Sequence, residues 1–293
     1  MRILVTCGTG TVGSETVRQL TQQSIPVSVL THSPNKTRAL LRGAEGVVGD
    51  LTDMESLTRA FRGVDRLFLI TPVSETETQE GLNAIRAAEE AGVGRIVLLS
   101  IHDVEQGAHI PHFRSKIELE AAIRKTGIPC TILMPNNFYQ NDYWFKHALL
   151  GGGIYPQPLG DIGLSRVDVR DIAEAATNAL LENGHENQRY PLVGPEALTG
   201  EHTAAVWSRH LGRPVRYLGN DIEAWGREAR KDMPGWMVDD LKMMYSFFVK
   251  SGLRASKADL CKQGEILQQH EPRDYDSFVM ETARAWHSEV EAA

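Results

Sequence analysis

The stretch MRILVTCGTGTVGSETVRQL, residues 1–20, decides the fold. Its apolar run from Arg2 to Thr6 predicts a β-strand, and a GxGxxG turn follows at once and opens a helix. Glycines at this place let the backbone turn sharply and approach a pyrophosphate, while the free N–H groups and the dipole of the helix attract the anion. The stretch therefore predicts a dinucleotide site whose contacts are Gly8, Thr9, Gly10, Thr11, Val12 and Gly13.

The first half of the chain continues in the same pattern. Short apolar runs rich in β-branched residues are separated by amphipathic stretches, which is typical of a parallel sheet with helices on both faces. Right-handed crossovers between six strands impose the order 3-2-1-4-5-6, with a crevice at the carboxyl ends of the first and fourth strands. We therefore predict an α/β fold, a Rossmann-type doubly wound parallel sheet. Its strands are expected at Arg2 to Thr6, Val27 to Leu30, Val47 to Gly49, Arg66 to Ile70, Arg95 to Leu99 and Cys130 to Met134.

The second half of the chain has a different character. A further strand is predicted at Tyr190 to Val193, and the chain from Thr199 onward reads as mainly helical. We predict a dinucleotide-binding domain over residues 1–150, with a returning segment at about 163–195, and a smaller, mostly helical substrate or lid domain over residues 196–293.

The end of the second predicted strand indicates which dinucleotide is bound. It contains no Asp or Glu at the place where an NAD enzyme holds the ribose hydroxyls. His32, Ser33 and Lys36 can instead donate to a 2′-phosphate, so NADP is favoured and NAD is the alternative. An exposed turn before a helix is the other interpretation of these residues. Further cofactor contacts are predicted at the ends of the later strands: Asp50, Leu51, Thr71, Pro72, Ser100, Pro135 and Asn137.

Composition excludes several classes of partner. The 293 residues carry a net charge of −7, whereas a sequence-independent grip on nucleic acid requires clustered Lys and Arg. The apolar runs are too short for a membrane span, and the chain enters its first strand with no leader, so we expect a cytoplasmic protein. Three cysteines without CxxC spacing indicate free thiols. His102, His109 and His112 lack the spacing of a zinc motif, and we expect no metal.

Several motifs together resemble one family. TCGTGTVG, VVGDLTD and LMPNNFYQN are similar to segments of the NmrA-like group of atypical short-chain dehydrogenases, which includes triphenylmethane and quinone reductases and redox-sensing regulators. The resemblance implies a Rossmann domain, a small C-terminal domain, a nicotinamide cofactor and a substrate cleft. Two positions depart from the family pattern: Cys7 replaces the first Gly of the turn, and His32 stands where NADP-binding relatives usually carry Arg.

Candidate catalytic residues follow from this resemblance. Ordinary short-chain dehydrogenases use a Tyr and a Lys four residues apart on one helix face, and the Lys helps the phenol to exchange a proton. The corresponding helix here carries His112 and Lys116, so alcohol–ketone chemistry through a phenol is not expected. The resemblance implies Lys116 at the nicotinamide ribose or as a proton source, His112 as a general acid, and Tyr139 at the cleft. A solvated helix face is the other interpretation of His112 and Lys116.

Two functions fit these residues. The first is an NADP(H)-dependent oxidoreductase that reduces a quinone-like, azo-like or other small electrophilic substrate, because the cofactor carries the difficult step of such a reaction. The alternative is a non-catalytic NAD(P)-binding redox sensor that presents its C-terminal region to a protein partner. The sequence indicates no oligomeric state.

Overall fold

The computed structural model describes residues 1–32, 42–268 and 270–291 of the chain. Seven of the described strands form one parallel sheet in the order β3-β2-β1-β4-β5-β6-β8, and β7 pairs with β9 in a separate two-stranded sheet. In chain order the strands are β1 (Ile3–Val5), β2 (Val27–Thr31), β3 (Ala44–Val48), β4 (Arg66–Leu69), β5 (Arg95–Leu99), β6 (Cys130–Pro135), β7 (Ile154–Tyr155), β8 (Arg189–Leu192) and β9 (Arg216–Tyr217).

Helices connect the strands and make up most of the C-terminal part. The described α-helices are α1 (Thr11–Gln22), α2 (Met54–Ala60), α3 (Glu77–Ala91), α4 (Pro111–Thr126), α5 (Val169–Leu181), α6 (Gly200–Leu211), α7 (Ile222–Ala229), α8 (Gly235–Ser251), α9 (Lys257–Ile266) and α10 (Tyr275–Glu291). None of them is long and apolar enough to cross a lipid bilayer.

The predicted fold class and the predicted order of the first six strands are confirmed. The third strand begins at Ala44 rather than at Val47. This strand lies at the edge of the sheet and is half exposed, so its first residues need not be apolar and the hydrophobic pattern misses them. The strand predicted at Tyr190 to Val193 is β8, which extends the sheet beyond β6 in a parallel register.

Burial on both faces explains the continuous apolar runs of the central strands. All three residues of β1 and four of the five residues from Ile96 to Ser100 are at most 2% exposed. One core cluster covers a face of the sheet and joins Leu4 and Leu67 to the helical residues Leu57 and Ile123. A sheet fixed in this way holds the carboxyl ends of its strands, where ligands of such folds bind, in a defined geometry.

The described residues fall into two compact units. Unit 1 contains the seven-stranded sheet and is drawn from Met1–Pro135, Val169–Leu192 and Lys262–His270. Unit 2 contains the two-stranded sheet and most of the C-terminal helices, and it is drawn from Asn136–Asp168, Val193–Cys261 and Glu271–Ala293. The domain boundaries given in the sequence analysis stay a prediction.

Candidate functional site

The glycine turn of unit 1 joins β1 to α1 at the carboxyl edge of the sheet. Cys7 begins the turn with a φ of 49°, in the left-handed region that favours glycine. The Gly10 N–H donates to the Cys7 carbonyl at 2.9 Å and closes the turn, and Gly10 is the N-terminal cap of α1. Because the first turn of α1 carries no acidic residue, its positive end is suited to an anion.

Glycine is required at two places in this turn for packing reasons. A Cβ on Gly13 would lie 2.3 Å from the Cys7 carbonyl oxygen and 2.7 Å from the Gly8 Cα, and neither backbone atom can move without opening the turn. A Cβ on Gly8 would meet the Val29 side chain at 2.7 Å. Gly10 is less restricted, with 3.2 Å to the same carbonyl. The tip of the turn, Thr9 to Thr11, is exposed, whereas Val12 is buried in the core.

A buried ion pair lies at the end of β4. The Lys116 ammonium Nζ is 2.7 Å from Glu77 Oε1, and the Thr71 hydroxyl accepts from Lys116 and donates to the same Glu77 oxygen at 2.7 Å. Lys116 is 7% exposed and Glu77 is 2% exposed. An ammonium has three N–H donors, so one donor of Lys116 makes no hydrogen bond to the described residues.

The same ion pair influences the thiol of Cys7. Burial raises the pKa of the Cys7 thiol to about 11, the Lys116 charge opposes this rise, and Glu80 and Glu77 add to it. The Cys7 side chain therefore shares an electrostatic environment with Lys116 and the two carboxylates, and it stays a neutral thiol at physiological pH.

The residues predicted to hold the adenosine half lie at the ends of β2 and β3. His32 is exposed and its charge acts on Asp50. Hydrogen bonds from the Thr52 backbone and side chain, followed by His32, lower the pKa of Asp50. Leu51 is 8% exposed and packs in the core cluster. Ser33 and Lys36 lie outside the described residues.

The other predicted residues of unit 1 have varied surroundings. Pro72 is half-buried beside Thr71, and Pro135 ends β6, where its carbonyl accepts from the His102 N–H at 2.9 Å. Ser100 is buried and donates to Glu120 at 2.6 Å, so its hydroxyl is already engaged. His112 lies one helical turn before Lys116 on α4, half-buried, with its ring edge-to-face on Phe113.

Asn137 and Tyr139 belong to unit 2. The Asn137 Oδ1 accepts from Arg166 Nε at 3.0 Å, and the residue is half-buried. Tyr139 has no exposed surface, its hydroxyl donates to the Arg273 carbonyl at 3.2 Å, and its ring packs against Tyr275. These contacts favour a packing role for Tyr139 over the catalytic role expected from the sequence.

Two features were missed by sequence reasoning. Glu77 stands in an acidic run at the start of a helix, which is the usual place for such residues, so the pattern gives no sign of its pairing with Lys116. The second feature lies in unit 2, where Asp142 and Arg166 are fully buried and 2.8 Å apart. In each of the two pairs, Glu77 with Lys116 and Asp142 with Arg166, the partners are far apart in the sequence, and only the folded chain brings them together.

One cluster of side chains in the described part of the chain has the composition of a metal site. Ligand atoms of Asp171, Glu174 and His270 lie within 4.8 Å of one another. The His270 Nε2 is already 2.7 Å from a Glu174 carboxylate oxygen, and this ion pair explains the proximity of the two residues. The group does not include His102, His109 or His112.

Two known proteins with sequences similar to this chain are reductases. The chain is 36% identical to the NAD(P)H azoreductase of Xenophilus azovorans over 246 residues, 83% of this chain and 86% of the relative. It is 38% identical to the (4-alkanoyl-5-oxo-2,5-dihydrofuran-3-yl)methyl phosphate reductase of Streptomyces griseus subsp. griseus over 223 residues, 76% of this chain and 78% of the relative.

A solved structure extends the likeness to the fold. The NADPH-dependent quinone oxidoreductase of Escherichia coli, complexed with NADPH, superposes with a TM-score of 0.84 at 25% identity, covering 96% of this chain and 99% of that one. The family model described as NmrA-like family matches residues 1–278. The resemblance found in the motifs is thereby confirmed, and the chain belongs to the NmrA-like family.

Proposed function

We propose that this chain is an NADP(H)-dependent oxidoreductase that reduces quinone-like, azo-like or other small electrophilic organic molecules by hydride transfer. The glycine turn carries the proposal, because it is closed too tightly for a side chain at Gly13 and leads into a helix start free of acidic residues. The likeness to an NAD(P)H azoreductase and to an NADPH-dependent quinone oxidoreductase supports the same reaction class.

The residues present fit the dinucleotide. The turn from Gly8 to Gly13 would hold the pyrophosphate, and His32 would face the 2′-phosphate together with Ser33 and Lys36. When bound, the reduced nicotinamide supplies a hydride. The remaining proposed contacts are the residues that the sequence predicts after the later strands: Asp50, Leu51, Thr71, Pro72, Ser100, Pro135 and Asn137.

Lys116 is the proposed proton donor. A quinone or azo group that accepts a hydride needs one further proton on oxygen or nitrogen, and the Lys116 ammonium has one N–H that is not committed to Glu77 or Thr71. The same N–H can hydrogen-bond to the nicotinamide ribose before the proton is needed. His112 is half-buried on the preceding turn of α4, and it is proposed as a second acid.

NADPH oxidation against a panel of quinones and azo dyes tests the function. We expect turnover with at least one acceptor, and we expect Lys116→Met to lower kcat on the order of 100-fold while NADPH still binds. Tight NADPH binding with no turnover across the panel would contradict the proposal. Calorimetry would then decide for the sensor if the oxidised and reduced cofactors bound with different affinities.

Cofactor preference is tested at His32. Replacing it by Arg provides a permanent charge and a planar fork for the 2′-phosphate, so His32→Arg is expected to tighten NADPH about tenfold. The affinity for NADH, which lacks this phosphate, is the control and should not change. Equal effects on both cofactors would show that His32 does not face the 2′-phosphate.

We further propose a cytoplasmic location, a small-molecule substrate and no direct nucleic-acid ligand. The three cysteines, Cys7, Cys130 and Cys261, are free thiols, which fits a reducing compartment. The net charge of −7 disfavours binding to phosphate backbones. Cell fractionation followed by immunodetection tests the location.

A further inference from the structure

Lys116 and Glu77 form a pair of charges inside unit 1. Their side chains are 9% and 2% exposed, and a single carboxylate oxygen, Glu77 Oε1, accepts from both Lys116 and Thr71. The other oxygen, Oε2, is buried and makes no hydrogen bond within residues 1–32, 42–268 and 270–291. The Glu77 carboxylate therefore contacts Lys116 and Thr71 through its Oε1 atom.

The packing of α3 against α4 brings this pair together. Gly81 lies one turn after Glu77, and a Cβ there would lie 2.5 Å from both Cδ atoms of Leu119, so any larger residue would require the Leu119 side chain to shift. On the same interface the Thr78 hydroxyl donates to the Ser115 hydroxyl at 3.0 Å. The helices that carry Glu77 and Lys116 are thus packed directly against each other.

A buried ammonium needs a counter-charge. Removing an amine from water disfavours its charged form, and a close carboxylate restores that form. Two carboxylates are near, but only one contacts Lys116: Glu80 accepts instead from Ser74 and Thr76, each at 2.6 Å. Glu77 is the counter-charge of Lys116 by geometry.

We propose that Glu77 is the positioning residue of this oxidoreductase, which keeps Lys116 protonated and aims its third N–H at the acceptor. The inference rests on the proposed function. When the acceptor takes up a hydride, one Lys116 N–H bond breaks, and that proton forms an O–H or N–H bond on the acceptor. The neutral amine then takes up a proton from bulk solvent, so that each turnover consumes one hydride and one solvent proton. The titratable groups that share the electrostatic environment of the pair are the neutral Cys7 thiol and the Glu80 carboxylate, and Thr71 contacts the pair directly.

Steady-state kinetics of three variants test the proposal. Glu77→Gln keeps an oxygen that can accept from Lys116 and Thr71 but removes the charge, so kcat should fall on the order of 100-fold while the dissociation constant of NADPH stays unchanged. Glu77→Asp keeps the charge and should recover most of kcat. Glu80→Gln removes a second buried carboxylate, which does not contact Lys116, and it is expected to match the wild type. Equal losses in Glu77→Gln and Glu80→Gln would overturn the proposal.

A second measurement does not depend on turnover. In protein labelled with ¹⁵N-lysine, the Lys116 ammonium should give a slowly exchanging NH₃⁺ signal, assigned by its loss in Lys116→Met. We expect this signal to be absent from Glu77→Gln and present in Glu77→Asp and Glu80→Gln. A signal that persists in folded Glu77→Gln contradicts the role of Glu77. If the variants show this pattern of signals but the wild-type protein reduces no acceptor, the proposed function is contradicted, whereas the pairing of Glu77 with Lys116 is established.

Discussion

Cys7 combines a left-handed backbone with a side chain at the tip of β1. Its φ of 49° places the Cβ close to the following carbonyl, which costs about 1 kcal/mol for an L-residue other than glycine. We expect Cys7→Gly to raise the free energy of unfolding by about 1 kcal/mol and to tighten NADPH binding. The matched control is Cys7→Ala, which removes the sulfur but keeps the Cβ. Chemical denaturation of both variants should separate them, and equal stabilities would show that the backbone is not strained at residue 7.

The thiol of Cys7 gives a pH-dependent prediction. Its folded pKa of about 11 lies above the ordinary value of 9.0, so the thiolate is scarce at neutral pH. Alkylation of Cys7 by iodoacetamide, followed by mass spectrometry, should be slow at pH 7 and rise steadily up to pH 11. The raised pKa also means that stability is full below pH 9 and falls as the pH rises toward 11. The exposed Cys261 is the internal reference, and equal alkylation rates of the two thiols at neutral pH would contradict the raised pKa of Cys7.

Single residues show where sequence reasoning succeeds and where it fails. The left-handed conformation at Cys7 follows from the family position of a glycine, and Lys116 contacts Thr71, whereas the cofactor roles of both residues stay predictions. The role of Glu77 could not be predicted, because its partner Lys116 lies 39 positions away on another helix and no local sequence pattern links the two residues. Tyr139 is fully buried, and its catalytic role stays a prediction, because an aromatic residue in a motif can serve packing as well as chemistry.

The glycine turn and α1 act as one element. We expect Gly13→Ala to destabilise the fold by about 3 kcal/mol or more, because the new Cβ meets backbone atoms of Cys7 and Gly8 that cannot yield. Gly10→Ala is the matched control: its Cβ is 3.2 Å from the Cys7 carbonyl, so the variant should fold and lose only NADPH affinity. Thermal melting with and without NADPH distinguishes the two. A Gly13→Ala variant as stable as the wild type would contradict the closed turn.

The strands and helices of unit 1 could be predicted because their burial appears as a pattern of apolar residues along the sequence. Buried parallel strands such as β5 are continuous apolar runs, and the crossover rule then fixes their order. The edge strand β3 and the short strands β7 and β9 lack this signature. Their positions depend on contacts that the local pattern does not contain.

At the scale of the molecule, a buried network joins the three chain segments of unit 2. Asp142 accepts from Arg166 and Tyr155 at 2.8 Å, from Trp207 at 3.0 Å, and from the Tyr275 hydroxyl. Burial opposes the charge of Arg166, but the Asp142 carboxylate together with Tyr155 and Tyr275 outweighs this effect and raises the pKa of Arg166. Because Arg166 also holds Asn137, the network extends to a proposed cofactor contact.

Removing the charge of Asp142 should therefore affect unit 2 as a whole. Asp142→Asn leaves Arg166 as a buried cation without its counter-charge, and we expect a loss of about 3 kcal/mol in the free energy of unfolding. The control is Glu55→Gln, which breaks an exposed pair with Arg59 and should cost less than about 1 kcal/mol. Urea denaturation measures both, and similar losses would mean that the Asp142 network is not a structural centre.

The interleaving of the two units has a consequence for how the protein is made. Residues 262–270 return to unit 1, where Lys262 bonds to Gln188 and the Ile266 carbonyl accepts from Asn178. During synthesis the N-terminal segments of a chain emerge first and fold as units. Here the unit that starts at Met1 still lacks a segment until residue 270 has left the ribosome, by which time most of unit 2 has emerged. The nascent chain thus begins its cofactor-binding unit first and completes it late.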